Sequence, residues 1–216
     1  MLDNLFSIPI YYNILKPESE TFDSMLNYAT NFVEKYYNKE KYNITGDVVN
    51  DYLIHNNKVF FWLNEQVSLN MKEYLTQLGV DHTKMNIYSQ KSWIASCNKK
   101  GGYINAHVHE NSIFSAVYYL SCEEASGGYL RFSNSNLIHN RPFRYSETNI
   151  NNTKTVDYPP IVNKLFIFPS NFEHEVTEYT SNTERISVTY DITITSKSEE
   201  NDVEHMIIDP SLWRKI

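Results

Sequence analysis

The chain has 216 residues and a formal net charge of −7. That length fits one domain that needs no staples, because a chain of this size buries roughly 70% of its unfolded surface. The acidic balance, without a basic patch, disfavours a nucleic-acid partner. No apolar stretch reaches the roughly 20 residues of a membrane span, so no membrane partner is expected.

In chain order, residues 5–15 (LFSIPIYYNIL) predict a strand, and Pro9 marks it as an edge. The segment MLDNLFSIPIYYNIL carries Asp3 and lacks the basic start and apolar run of a leader, so a cytoplasmic location is expected. From Glu18 to about Lys41, Phe22, Met25, Leu26, Ala29, Phe32, Val33 and Tyr36 recur every three or four residues and predict an amphipathic helix. A second helix is expected from about Asn64 to Leu78, through Val67, Leu69, Met71, Tyr74 and Leu75, closed by Gly79.

From Met85 onward the texture changes to short β-rich runs separated by turn formers such as Gly101-Gly102, Gly127-Gly128 and Pro159-Pro160. Seventeen tyrosines and eleven phenylalanines against six glycines support ordered β structure. Many short strands at this spacing imply a sandwich, jelly roll or small barrel. Residues 138–160 form the longest weakly patterned stretch, of the kind used as lids. The chain from Glu199 reads as a charged tail with an apolar cluster around Trp213. Cys97 and Cys122 lack CxxC spacing and predict no disulfide framework.

Seven histidines are scattered along the chain. His55, His82, His139 and His205 read as surface or satisfied core residues. His107 and His109 lie two apart in an extended stretch, and a strand turns such residues to one face. Two imidazoles there can converge on iron, zinc, copper or nickel. His174 follows an apolar strand and a Pro-Ser turn (LFIFPSNFEH), which makes it the natural third ligand. Glu110 is the reserve, reachable through a bulge. A register with His109 first and Asn111 in the acidic position would give a poor ligand. In RISVTYDI, Arg185, Ser187, Thr189 and Asp191 share one face and Ile186, Val188, Tyr190 and Ile192 the other. An inward arginine with a hydroxyl two residues on offers a fork and a donor to a carboxylate; a structural salt bridge to a glutamate is the competing explanation.

The order HxH, SAVYYLS, GGYLRF, FPSxxxH and RIS resembles the prolyl-4-hydroxylase-like branch of the 2-oxoglutarate and Fe(II)-dependent dioxygenases. The likeness covers about Ser92 to Ile194 and is closest to a bacterial and viral subgroup with HxHxNSxxSxVYYL and FPSxxxHxV segments. It implies a mainly β chain: a double-stranded β-helix (jelly roll, cupin-like) core over residues 85–195. A helical support layer over 1–84 would pack on one sheet and a tail would fill 196–216, all in one domain spanning 1–216.

It also implies Fe(II), 2-oxoglutarate and O2, with His107 and His174 as iron ligands. Arg185 would clamp the distal carboxylate of 2-oxoglutarate, Ser187 and Tyr119 would reach the same group, and Leu130 would be an apolar contact. The family usually has a carboxylate where His109 stands. The expected reaction yields succinate and CO2, with hydroxylation of a peptide or small molecule as the default. Tyr103, Phe114 and Phe172 are candidates for shielding the oxidant. A three-histidine cupin-type dioxygenase without 2-oxoglutarate, or a non-enzymatic β-barrel binding module, explains His109 or the barrel by other means. A homodimer stays open.

Overall fold

The computed structural model describes residues 7–36, 44–45, 52–97, 101–134, 145–149, 152–197 and 207–216. The chain first lays down β1 (Tyr11–Ile14), α1 (Ser19–Tyr36), β2 (Ile44–Thr45) and α2 (Phe61–Gln77). Eight further strands follow: β3 (Met85–Cys97), β4 (Gly102–His107), β5 (Phe114–Ser121), β6 (Leu130–Ser133), β7 (Thr155–Tyr158), β8 (Lys164–Pro169), β9 (His174–Tyr179) and β10 (Arg185–Ser196).

These ten strands divide between two antiparallel sheets. One runs β1-β8-β5-β10-β3-β2 and the other β4-β9-β6-β7. Within the first, β8-β5-β10-β3 faces β7-β6-β9-β4 of the second, and the chain crosses between them in the manner of a jelly roll. The predicted double-stranded β-helix, mainly β with helices packed on one sheet, is therefore observed. β1 is an edge strand, as Pro9 suggests.

The helices cover the outer face of the larger sheet. Met25, Ala29, Phe32 and Val33 of α1, with Leu63, Val67, Met71, Tyr74 and Leu75 of α2, are buried against Ile94, Tyr118, Leu165, Ile167, Val188 and Tyr190. α2 begins at Phe61 rather than near Asn64, because a 3-10 turn over Lys58–Phe60 leads straight into it; Asn57 caps that turn by accepting from the Val59 N–H at 3.0 Å. Leu69, expected on the buried face, is exposed. Asn70 takes a buried place on that helix, accepting from Tyr11 and Asn13 at 2.8 Å each and so stitching β1 to α2. Gly79 ends the helix at φ +76°, a left-handed conformation suited to glycine.

Between the sheets lies a second core of Val117, Tyr119, Leu130, Phe132, Phe166 and Phe168. The 138–160 stretch is not all loop: Thr155–Tyr158 pairs with β6, where the run TVDY satisfies the open edge of Leu130–Ser133. Residues 135–144 and 150–151 of that stretch lie outside the described residues, as do 37–41 of the first predicted helix, 198–206 of the predicted tail, and with them His139 and His205. In the described tail, Asp209 accepts from Asn86 at 2.7 Å and Tyr88 at 2.8 Å, while Trp213 is exposed. Both cysteines are free. Among the described residues no helix is long and apolar enough to cross a membrane.

Candidate metal and carboxylate site

A cavity of about 950 Å³ opens between the two sheets. It follows the inward face of β10 from Arg185 through Ser187 and Thr189 to Asp191, roughly 20 Å at about 3.3 Å per residue. Apolar side chains of Ala95, Ile104, Val117, Leu130 and Val176 line part of it, and His107, His109 and His174 converge on it.

The three imidazoles reach the cavity from different local structures. His107 ends β4 and His174 begins β9, and the two are cross-strand partners in the smaller sheet; their ring centroids are 4.4 Å apart. His109 lies beyond the end of β4, so the expected single strand carrying both residues is cut short at His107. A different device returns His109 to the cluster. Its N–H donates to the Ser170 carbonyl at 2.9 Å, and the Ser170 hydroxyl is itself bonded to Ser112 at 2.7 Å and Ser115 at 2.9 Å. The serines of the NSxxS and FPS segments thus clamp one turn onto the other.

Candidate ligand atoms of His107, His109 and His174 all lie within 4.8 Å of one another. Each ring also has its Nδ1 engaged. His107 donates to the Asn105 carbonyl at 2.7 Å, His174 to the Phe172 carbonyl at 2.9 Å, and His109 to the Asp191 carboxylate at 2.6 Å. A carbonyl can only accept, so Nδ1 of His107 and His174 carries the proton and Nε2 keeps the lone pair for coordination. Burial pushes the His174 pKa down to about 3, with the neighbouring His107 adding to the effect. The ring is neutral, as a metal ligand must be. Glu110, the reserve, is exposed on the rim and is not part of this group.

Arg185 is 1% exposed. Its Nε donates to the Gly128 carbonyl at 2.9 Å and its Nη2 to the Tyr119 hydroxyl at 3.3 Å. Its guanidinium carbon sits 4.9 Å from the Tyr119 ring centroid. Among the described residues Nη1 is buried with no hydrogen-bond partner, and no carboxylate there pairs with Arg185. A charged donor left like this is costly unless a ligand completes it. Gly128 makes the arrangement possible: at φ +65°, a Cβ there would come within 2.8 Å of the Arg185 Cδ and 2.9 Å of the Tyr179 ring.

Leu130 and Ser187 line the cavity, and the Ser187 hydroxyl lies 3.5 Å from the Ala95 carbonyl. Tyr119 stands behind Arg185, off the cavity wall. Of the aromatics expected at the mouth, Tyr103 is exposed, Phe114 packs on Tyr74 of α2, and Phe172 stacks on Phe132. The cavity's aromatic wall is Trp93, which stacks on His109 at 5.6 Å and carries the Lys91 ammonium 4.4 Å from its ring centroid. Sequence reading missed both Trp93 and the Asp191–His109 bond. The alternation of RISVTYDI did place Asp191 on the inward face, which was the available signal.

Residues 91–191 match the family described as "Putative 2OG-Fe(II) oxygenase". Among solved structures, a prolyl hydroxylase from Trichoplax adhaerens, in complex with a hypoxia inducible factor oxygen degradation domain peptide fragment, superposes with a TM-score of 0.55 at 18% identity, covering 85% of this chain and 83% of that one. A Pseudomonas putida prolyl-4-hydroxylase gives 0.53 at 15% identity, covering 87% and 93%. HygX from Streptomyces hygroscopicus, solved with nickel and 2-oxoglutarate bound, gives 0.53 at 10% identity, covering 86% and 82%. No curated protein sequence matches the chain. Over residues 91–191 the chain is similar to the 2OG-Fe(II) oxygenase family, on a fold it shares with prolyl hydroxylases.

Proposed function

We propose that this oxidoreductase is an Fe(II)- and 2-oxoglutarate-dependent dioxygenase that hydroxylates a peptide or small molecule. The observation that carries the reading is the buried Arg185 guanidinium, with Nη1 unpartnered, in the same cavity as three convergent imidazoles. His107, His109 and His174 would hold the metal, three imidazoles being a donor set that suits iron. Fe(II) with 2-oxoglutarate, when bound, supplies oxidative decarboxylation to succinate and CO2 coupled to oxygen insertion.

What the chain contributes is orientation and exclusion. Arg185 anchors an anionic end with a charge-assisted bond, and Ser187 is the nearest hydroxyl along β10. Tyr119 steadies the guanidinium from behind, while Leu130, Val117 and Val176 keep water from the intervening chain. The Trichoplax structure holds a peptide, which supports a peptide substrate here; the open rim at Gln90, Lys91, Glu110 and Asn111 is where such a chain would lie.

Anaerobic addition of Fe(II), then 2-oxoglutarate, tests this directly. A visible charge-transfer band that needs both, and is lost in Arg185→Met, is the expected result. Metal uptake indifferent to 2-oxoglutarate would point to a three-histidine dioxygenase of another kind. Absence of metal uptake would leave a binding module.

A further inference from the structure

Replacing a carboxylate ligand by His109 removes one negative charge from the immediate surroundings of the ion. Three neutral imidazoles carry none, whereas two imidazoles and a carboxylate carry one. The missing charge is present one ring further out. Asp191 Oδ1 accepts from His109 Nδ1 at 2.6 Å, with both side chains about 10% exposed. Lys91 is the cross-strand partner of Asp191, yet its ammonium lies over the Tyr52 and Trp93 rings at 4.2 and 4.4 Å. Among the described residues, His109 is the one hydrogen-bond and ion-pair partner of the Asp191 carboxylate.

The placement depends on β10 and β3 together. Their register shifts between Asp191 and Ile192, so that Lys91 pairs with Asp191 but Ser89 with Ile192, leaving Gln90 as the extra residue. A bulge of this kind re-aims side chains beside a site. The other two imidazoles rest on neutral carbonyls, Asn105 and Phe172. His109 is backed by a carboxylate.

From this, and resting on the proposed metal centre, we infer that Asp191 is a positioning residue that supplies the site's anionic charge through the His109 ring. Hydrogen-bonded to Nδ1, it holds that ring with Nε2 toward the cavity and raises its electron donation to the ion. The carboxylate usual in the family is thus moved outward by one imidazole, and the net charge of the centre is kept.

The test is a double-mutant cycle on Mn(II) affinity of the full chain, with unaltered protein, Asp191→Asn, His109→Asp and the double variant. Asn keeps the size and a hydrogen-bond acceptor but loses the charge. It should weaken Mn(II) binding about 10- to 100-fold in the presence of His109, the usual effect of removing such a partner. Beside His109→Asp, where the charge is already at the metal, the same change should cost less than about threefold, because its route through the imidazole is gone.

Equal losses in both backgrounds, or no loss beside His109, would overturn the inference while leaving the metal centre standing. Failure of the unaltered chain to take up Mn(II) would remove both. Ring 15N shifts of the zinc-loaded, unaltered protein provide a check that needs no variant: His109 should be protonated at Nδ1 and ligated at Nε2. Ligation through Nδ1 would also overturn the inference.

Discussion

Along β10 the two faces of one strand obey different rules. Ile186, Val188, Tyr190, Ile192 and Ile194 turn to the helices and join the apolar core, where the one polar atom, the Tyr190 hydroxyl, donates to Asn64 at 3.0 Å. Arg185, Ser187, Thr189 and Asp191 turn to the cavity, equally buried but polar or charged. From Ile186 to Ile194 the first face is satisfied by the protein itself. The second is incomplete among the described residues, with Arg185 Nη1 lacking a partner. Burial alone therefore does not distinguish core from site; what distinguishes them is whether the buried polar atoms are satisfied within the chain.

The largest expected effect breaks the cavity face. Arg185→Met should weaken 2-oxoglutarate binding by about 2–5 kcal/mol, the cost of losing one partner of a buried charge pair. The unliganded fold should hold or gain stability, since an uncompensated charge is gone. Calorimetric titration and urea denaturation measure the two, and a large loss of stability would mean that Arg185 belongs to the core.

On the other face, Ile192→Ala should cost about 2–5 kcal/mol in urea denaturation while metal affinity of the folded chain stays unchanged. Gly128→Ala lies where the faces meet, and its forced shift of Arg185 and left-handed strain should cost about 1–3 kcal/mol, with 2-oxoglutarate affinity falling in parallel. Tyr190→Phe should cost only about 1 kcal/mol, the worth of one hydrogen bond.

A last expected effect is a pH slope. Folded His174 stays neutral to about pH 3, whereas the unfolded ring takes a proton near the ordinary 6.5. Stability of the metal-free chain should thus fall as pH drops from 6.5 toward 3 and be indifferent to this group above 6.5. A denaturation series on His174→Gln against the unaltered chain should show the difference confined to that window.

Much of this was legible because it is periodic. Alternation in RISVTYDI separates the faces of β10, and the 3.6-residue rhythm of Met25, Ala29 and Val33 marks the covering helix. The convergence of His107 with His174 was readable as motif order, and the inward Arg185 as the head of the polar face it shares with Ser187, Thr189 and Asp191. The bond between His109 and Asp191 spans 82 positions of sequence, and no local rhythm encodes such a pairing. Trp93 carries no local signal of its place, since nothing near it in sequence announces the histidine it stacks on. β7 was hidden inside a polar stretch because a short edge strand needs only one good partner, here β6.

The alternation of strands between sheets also has a consequence for assembly. β4 and β9 bring His107 and His174 together, while His109 is held by Ser170 on one side and by Asp191 of the last strand on the other. These are long-range closures, slow to form and among the last to be rewarded. An ion that needs all three imidazoles can therefore bind tightly only to the finished barrel. Its binding free energy is added to the native state and withheld from partly closed ones, so metal loading should act as a latch on folding as well as a requirement for chemistry.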